Sequence, residues 1–187
     1  MKLKSIFLIS LLALVPALMQ AQEADEPFER SESDTLYHPN YRLLPGMECP
    51  QFSIKDHKNK VWTRDDFKGR ILVLDCWATW CSACIAKLPA YVELAKKYEG
   101  DKRIQFITLS IDKRDAYKAW LYKLPKLGLL PYVNLLAPSN EDGFPKDFQI
   151  NGVPRYIIIG PDSKIINHDA PSAHDGLEEI IADLLKK

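Results

Sequence analysis

Most of the chain alternates between short apolar runs and longer segments in which apolar residues recur at helical spacing. The run ILVLDCW at residues 71–77 contains a single polar residue and is typical of a strand buried on both faces. We predict further strands at residues 52–54, 61–63, 104–111, 133–136, 155–159 and 164–167. The helical pattern predicts helices at residues 82–98, 114–123, 146–150 and 173–185.

This order of elements predicts an α/β fold. Strands that alternate with helices form a sheet with helices on both faces, and right-handed crossovers join its parallel strands. Residues 52–54 and 61–63 flank a polar segment and predict a small N-terminal β-hairpin extension. Residues 155–159 and 164–167 predict an antiparallel hairpin near the end, so the central sheet should be mixed.

The N-terminal residues have the pattern of an export signal. Two lysines precede an apolar run at residues 6–19, after which the chain turns polar. A helix that spans a bilayer needs about 20 apolar residues, so this run is short for one, and Pro16 suits a processing region better. We therefore predict that residues 1–21 form a signal peptide cleaved after Ala21. The alternative is an uncleaved membrane anchor.

Composition predicts one folded domain after this signal. Residues 22–44 are acidic and then rich in turn formers, which predicts a flexible linker, with an acidic docking site as the alternative. In a chain of 187 residues with 47% hydrophobic residues, residues 45–187 can bury one substantial core. The 25 basic and 25 acidic residues balance without a basic stripe, so we expect no nucleic-acid partner. Export predicts a periplasmic location, where disulfides persist.

Two cysteines stand where the buried strand gives way to the next helix, in WATWCSACIAKLP at residues 77–89. A cysteine at a helix N-terminus faces unpaired backbone N–H groups and the positive end of the helix dipole, and both stabilise a thiolate. Cys81 is therefore the predicted nucleophile. Cys84 lies about one helical turn deeper, close enough to attack a mixed disulfide on Cys81 and release the partner as a thiol. The spacing thus favours a redox couple.

Other uses of a CxxC pair find less support in the sequence. Haem attachment requires a histidine where Ile85 stands. A zinc site usually needs a second ligand pair, which Cys49, Cys76 and four scattered histidines do not form. A structural disulfide that closes so short a loop constrains the unfolded chain little. We therefore expect no metal and no other cofactor.

The segment LDCWATWCSACIAKLP resembles the active-site segment of thioredoxins, and its flanks resemble the extracytoplasmic TlpA/ResA-type thiol-disulfide oxidoreductases. The shared features are the N-terminal hairpin, the WCxxC segment, Pro89 and the later GVPRYIIIG. The resemblance covers residues 45–187, although residues 119–149 match only loosely. It implies a thioredoxin-like fold and disulfide exchange with protein thiols and disulfides. It also implies reduction of substrates such as apocytochromes, with a membrane thiol-disulfide carrier as the recycling partner.

Asp75 and Pro154 are further candidate site residues. Asp75 interrupts the apolar strand, where burial should raise its pKa toward that of a working base. The resemblance implies that it lies beneath the disulfide and relays a proton for Cys84; the alternative is an aspartate bonded to nearby backbone. Pro154 alone would indicate a strand boundary. The resemblance instead implies a cis Val153-Pro154 bond, which leaves the Val153 backbone free to pair with an extended substrate.

The sequence also departs from the family pattern. Lys87 stands where many reductive members carry a glutamate, and Ser82-Ala83 replaces the common Gly-Pro or Glu-Pro. Because the residues between the cysteines tune thiolate stability, no reduction potential can be transferred from relatives. We expect Asp75 to take over the proton relay, since in those reductive members an amide often occupies its position.

The remaining cysteines and the tryptophans have structural and functional interpretations. Cys76 should point to the sheet face opposite Asp75, and a second disulfide with Cys49 is the alternative to two buried thiols. Trp77 should pack in the core. Trp80 should border an exposed contact surface for partner proteins, although both tryptophans also suit ordinary packing.

Two functional classes remain open from the sequence. The favoured one is an enzyme that exchanges disulfides with proteins. The alternative is a binding module, or a carrier of a thiophilic metal, that uses the same cysteines without turnover. The predicted catalytic residues are Cys81, Cys84 and Asp75, and the predicted substrate-binding residues are Trp80, Val153 and Pro154.

Overall fold

The computed structural model describes residues 43–141 and 143–186. The predicted signal peptide and almost all of the predicted linker lie outside these residues. The strands are β1 (Ser53–Lys55), β2 (Val61–Thr63), β3 (Ile71–Trp77), β4 (Ile104–Ser110), β5 (Val133–Leu136), β6 (Arg155–Ile159) and β7 (Ile165–Ala170). The helices are α1 (Ser82–Lys97), α2 (Tyr117–Lys126), α3 (Phe144–Asp147) and α4 (Leu177–Leu185), with short 3-10 helices at Arg64–Phe67 and Arg114–Ala116.

Five strands form the central sheet in the order β5-β4-β3-β6-β7. β3 lies parallel to β4, and β4 lies parallel to β5. β6 is antiparallel to both β3 and β7, so the sheet is mixed. β1 and β2 form the separate hairpin, which reaches the edge strand β5 through a hydrogen bond from the His57 N–H to the Asn134 carbonyl at 3.1 Å. The α/β fold with its N-terminal hairpin is therefore confirmed.

Both faces of β3 are buried, because alternate side chains of a strand point to opposite sides of its sheet. Val73 belongs to a hydrophobic core shared with residues of α1 and α4, among them Tyr91 and Ile181. Leu72, Leu74 and Cys76 point the other way and are equally buried, and α2 turns Trp120 and Leu124 inward. Asp75 shares the side of Val73 and therefore lies beneath α1.

Several element boundaries differ from the prediction for local reasons. The helix predicted at 146–150 begins earlier, at Phe144, with Pro145 in its first turn, and Gln149 stops it by adopting a left-handed φ of 51°. The helix predicted from residue 173 begins only at Leu177, because Gly176 before it has a φ of 115°. The first strand is shifted by one residue to Ser53–Lys55, and the last one runs on to Ala170. The short 3-10 helix at Arg64–Phe67 was not predicted.

The sheet places the carboxyl ends of β3 and β4 at one edge, where α1 begins. Pockets and reactive groups of open α/β sheets commonly collect at such an edge. No helix in the described part of the chain is both long and apolar enough to cross a bilayer.

Candidate active site

Cys81 and Cys84 are joined in a disulfide at the N-terminus of α1, with Cα atoms 5.3 Å apart. Cys81 is the N-cap residue, and its Sγ accepts a hydrogen bond from the Cys84 N–H at 3.1 Å. The same N–H and the helix dipole would stabilise a thiolate at Cys81 once the disulfide is reduced. Cys81 is 7% exposed and Cys84 only 1%. Cys81 is therefore the more accessible of the two cysteines.

A buried carboxylate holds the loop that leads into Cys81. Asp112 follows β4, and its carboxylate accepts hydrogen bonds from the Thr79 N–H at 2.9 Å and the Thr79 hydroxyl at 2.8 Å. The Ser110 hydroxyl donates to the same carboxylate at 2.7 Å. From α2, the Lys123 ammonium donates to the Thr79 carbonyl at 2.9 Å. These bonds fix the backbone immediately before the cysteines.

Sequence reasoning missed Asp112. One signal was available: Asp112 follows the strand next to β3, and the carboxyl ends of adjacent parallel strands meet at the same edge of the sheet. A polar residue at that point is therefore close to the start of α1.

The two tryptophans of the motif lie in different environments. Trp77 is fully buried, whereas the Trp80 side chain is 67% exposed beside Cys81. A large exposed aromatic is costly to leave in water and is a common feature of contact surfaces. Trp80 therefore exposes an apolar surface next to Cys81.

Val153, in the segment just before β6, lies close to Cys81. The Val153-Pro154 peptide bond is cis, as the resemblance implies. The Val153 carbonyl oxygen is 3.7 Å from Cys81 Sγ, and Val153 and Pro154 are both half-buried. The structure thus brings Cys81, Trp80 and Val153 together although Val153 is 72 residues from Cys81 in the sequence.

Asp75 lies on the side of β3 that α1 covers. The Tyr91 hydroxyl of α1 donates to the Val73 carbonyl at 2.9 Å, which aligns that part of the helix with Val73. Asp75 is two residues along the strand from there, about 7 Å. Cys84 is seven residues back along the helix from Tyr91, about 10 Å in the same direction. Asp75 and Cys84 therefore both lie from this contact toward the carboxyl end of β3.

The environment of Asp75 favours its protonated form. Its carboxyl is 1% exposed, and burial raises its pKa from 3.8 to about 8. Neither carboxyl oxygen has a hydrogen-bond partner among the described residues. An aspartate bonded to nearby backbone, the alternative from sequence, is therefore not what the structure contains.

Lys87, the residue that departs from the family pattern, is held at the surface end of this region. Its ammonium donates to Asp175 at 2.9 Å and to the Ser172 hydroxyl at 3.1 Å. The Ser172 hydroxyl also donates to Asp175 at 2.5 Å. Hydrogen bonds from Ser172 and Lys87 lower the pKa of Asp175. Lys87 is thus committed to an ion pair with the segment before α4.

Cys49 and Cys76 are free thiols, and both are buried. Burial raises the pKa of Cys49 to about 12 and that of Cys76 still further. The second disulfide that the sequence left open is therefore not formed. Both thiols lack the exposure and the low pKa that reactive cysteines need.

Within residues 43–141 and 143–186, no three side chains of histidine, cysteine, aspartate or glutamate cluster as a metal site would require.

Comparison with known proteins gives consistent results. Residues 45–168 match the model of the AhpC/TSA family. The chain is 37% identical over 141 residues to the thiol-disulfide oxidoreductase ResA of Bacillus thuringiensis subsp. konkukian, covering 71% of this chain and 75% of the relative. It is 34% identical over 131 residues to the thiol:disulfide interchange protein DsbE of Vibrio cholerae, covering 63% of this chain and 66% of the relative.

Solved structures show the same similarity. A crystal structure of a provisionally named thiol-disulfide oxidoreductase from Bacteroides vulgatus is 32% identical, has a TM-score of 0.67 and covers 76% of this chain and 97% of its own. The thioredoxin domain of another thiol-disulfide oxidoreductase from that organism shares the fold at 22% identity, with a TM-score of 0.65 over 75% of this chain and 97% of its own. The resemblance seen in the sequence is confirmed, and the chain belongs to the AhpC/TSA family, among its thioredoxin-like thiol-disulfide oxidoreductases.

Proposed function

We propose that this thiol-disulfide oxidoreductase reduces disulfides of exported proteins, with Cys81 as the nucleophile and Cys84 as the resolving thiol. The observation that carries the proposal is the position of Cys81. It caps α1, is the more exposed of the two cysteines, follows an exposed tryptophan and lies near the Val153 carbonyl. Asp75 lies on the buried side of the pair.

The first step is attack by the Cys81 thiolate on one sulfur of a substrate disulfide. A new S–S bond forms between Cys81 and that sulfur, and the other substrate sulfur leaves as a thiolate, which takes a proton from water. The Cys84 N–H and the N-terminus of α1 stabilise the Cys81 thiolate before attack. The product is a mixed disulfide between enzyme and substrate.

The second step releases the substrate. The Cys84 thiol gives its proton to the Asp75 carboxylate and attacks Cys81 Sγ, so that the Cys81–Cys84 bond forms and the bond to the substrate breaks. The substrate sulfur leaves as the second thiolate. Two electrons have then passed from the dithiol to the substrate. With a pKa of about 8, Asp75 can accept a proton near neutral pH and lose it again.

The substrate is proposed to bind as an extended segment across Cys81. Trp80 supplies an apolar contact on one side of the sulfur, and Val153 and Pro154 flank the other side. Backbone pairing at Val153 would position the substrate without reading its side chains, as expected for an enzyme that accepts several partners.

The partners and location are proposed from the sequence and the relatives. The signal pattern at residues 1–21 supports export to the periplasm. The alternative is that the same segment stays uncleaved and anchors the protein in the membrane. Thiol-disulfide relatives support protein thiols and disulfides as substrates. The resemblance favours the reductive direction, apocytochromes as one substrate class, and a membrane thiol-disulfide carrier that reduces the Cys81–Cys84 bond again.

The test is an insulin-reduction assay combined with trapping. Cys84→Ser should accumulate a mixed disulfide on Cys81, because the resolving thiol is gone, and the matched Cys81→Ser variant should trap no partner. Both variants should lose turnover. Thiophilic metal retained by the wild-type protein without any turnover would instead support the carrier function. Equilibration of the wild-type protein with glutathione tests the direction, and a potential near those of strong oxidants would contradict a reductase.

A further inference from the structure

Asp75 and Tyr156 are directly opposite each other on neighbouring strands. Asp75 of β3 pairs with Tyr156 of β6 in the antiparallel register, so their side chains leave the sheet on the same face. Both residues are buried. The Tyr156 ring also packs against the Tyr91 ring of α1, with centroids 6.1 Å apart. The tyrosine therefore lies beside Asp75 on the face of the sheet that α1 covers.

Both residues also carry polar atoms that are buried and unpaired. In the described part of the chain, the two Asp75 carboxyl oxygens and the Tyr156 hydroxyl oxygen have no hydrogen-bond partner. Buried polar groups usually have one, since an unpaired group costs much of its hydration free energy. Two unpaired groups in one cross-strand pair can satisfy each other through a single bridging water.

Two other hydroxyls beside Asp75 already have partners, whereas the Trp77 indole N–H, two residues along β3 on the same face, is also unpaired among the described residues. The Tyr91 hydroxyl lies 2.9 Å from the Val73 carbonyl and 2.8 Å from the Ile107 carbonyl. Thr108 lies opposite Asp75 on β4, and its hydroxyl donates to the side-chain oxygen of Asn134 at 2.7 Å. This leaves Tyr156 as the neighbour with a hydroxyl to offer.

We propose that the Tyr156 hydroxyl, through one buried water, is the hydrogen-bond donor that positions the Asp75 carboxylate to receive the proton of Cys84. This inference rests on the proposed function, because it concerns the relay residue of the same reaction. Tyr156 acts through Asp75 and does not touch the reacting sulfurs, so it is a positioning residue.

The charges around Tyr156 agree with its place beside Asp75. Burial, then the charge of Asp75, then that of Asp175 raise the pKa of Tyr156. Asp175 is an exposed partner of Lys87 and Ser172.

The groups that face Asp75 come from each packed element. They include Tyr91 from α1, Thr108 from β4 and Tyr156 from β6, and Cys76 is the neighbour of Asp75 on β3. α4 contributes Leu177 and Ile181 to the same layer. A donor to the ionised carboxylate lowers its pKa, so loss of the Tyr156 hydroxyl should raise the pKa of Asp75 above its value in the wild-type protein.

The test is Tyr156→Phe, which removes only the hydroxyl and keeps the ring packing. We expect the midpoint of the pH profile for resolution by Cys84 to rise by about one unit, with about a tenfold slower rate at pH 7. The carbon-13 chemical shift of the Asp75 carboxyl in the reduced protein should show the same rise. An unmoved midpoint in both measurements would overturn the inference.

Tyr91→Phe is the matched control, because it removes a buried hydroxyl that is bonded to backbone carbonyls. It should lower stability while leaving the midpoint in place, and an equal shift in both variants would count against a specific role for Tyr156. Asp75→Asn distinguishes a failure of the proton relay by Asp75 from a failure of the inference about Tyr156. If Asp75→Asn resolves mixed disulfides at the wild-type rate, the relay itself fails. If Asp75→Asn is slow but Tyr156→Phe keeps the wild-type profile, only the inference about Tyr156 fails.

Discussion

Asp112 binds both the backbone N–H and the side-chain hydroxyl of Thr79, a residue 33 positions earlier in the chain, at 2.9 and 2.8 Å. The pair joins the end of β4 to the loop that enters the active site. Because the carboxylate is fully buried and also receives the Ser110 hydroxyl at 2.7 Å, its position is fixed by three donors. The orientation of the residues that follow, Trp80 and Cys81, depends on this carboxylate.

Replacing Asp112 with Ala should therefore damage both stability and exchange. The substitution leaves the Thr79 N–H, the Thr79 hydroxyl and the Ser110 hydroxyl without their acceptor, at a cost of about 2 to 4 kcal/mol in the free energy of unfolding. Urea denaturation measures this cost, and insulin reduction should slow by more than the unfolded fraction explains. Asp115→Ala, at an exposed aspartate three residues on, is the control and should change neither property. Equal stability of both variants would show that Asp112 does not hold the loop.

Asp75→Asn should slow the resolving step at neutral pH. The amide cannot accept the proton of Cys84, so the limb of the pH profile that rises through the Asp75 pKa of about 8 should disappear. Loss of a general base typically lowers a rate by about 100-fold or more. Stopped-flow release of a mixed disulfide between pH 6 and pH 10 measures this, and an unchanged rate at pH 7 would contradict the relay.

The sequence predicted the elements that follow from hydrophobic pattern and missed what depends on pairing between distant strands. β3 at Ile71–Trp77, β5 at Val133–Leu136 and β6 at Arg155–Ile159 lie where the pattern placed them. The environment of Asp75 could be predicted because a charge in an apolar run is visible without a fold. The bonds of Asp112 to Thr79 and the pairing of Asp75 with Tyr156 depend on the register of β3 with its neighbours, which no local pattern encodes.

The boundaries of the last helix show the same limitation on a smaller scale. Helical spacing of apolar residues continues back to Ala173, so the pattern extends the helix to that point. Gly176 adopts a φ of 115° and the Leu177 N–H bonds to the Ser172 carbonyl at 3.2 Å, so residues 173–176 form a turn. That turn also places Asp175 beside Lys87, a contact the sequence does not reveal.

Asp75 should also make stability depend on pH. Its pKa is about 8 in the folded protein, against about 3.9 for an ordinary aspartate, so the folded state binds the extra proton between these values. Stability therefore falls as pH rises from 4 to 8 and levels off above the folded pKa. Asp75→Asn removes this loss. Its stabilising effect in urea titrations should be near zero at pH 4 and reach a few kcal/mol at pH 8; a difference that does not vary with pH would contradict a raised pKa.

The four cysteines should separate into two classes on labelling. In the oxidised native protein, Cys81 and Cys84 are bonded, and Cys49 and Cys76 are buried with raised pKa values. A thiol reagent at pH 8 should therefore modify almost no cysteine in the native protein. It should modify two thiols in urea, and four in urea after the disulfide has been reduced. Mass spectrometry of the labelled peptides should assign the first two to Cys49 and Cys76. Fewer than two thiols in urea would reveal a second disulfide.

Trp80→Ala should weaken substrate binding without weakening the fold. The side chain is 67% exposed, so its loss should change the free energy of unfolding by less than about 0.5 kcal/mol. For a protein substrate, loss of an aromatic contact beside Cys81 should raise KM by about tenfold or more. A small disulfide that reaches Cys81 without touching Trp80 should react at the wild-type rate.

Tyr122→Ala is the control, because Tyr122 is 64% exposed on α2 and is not adjacent to the cysteines in sequence. Equal KM values for Trp80→Ala and the wild-type protein would show that partners do not contact this tryptophan, and an equal rise in Tyr122→Ala would indicate a broader contact surface than the one proposed.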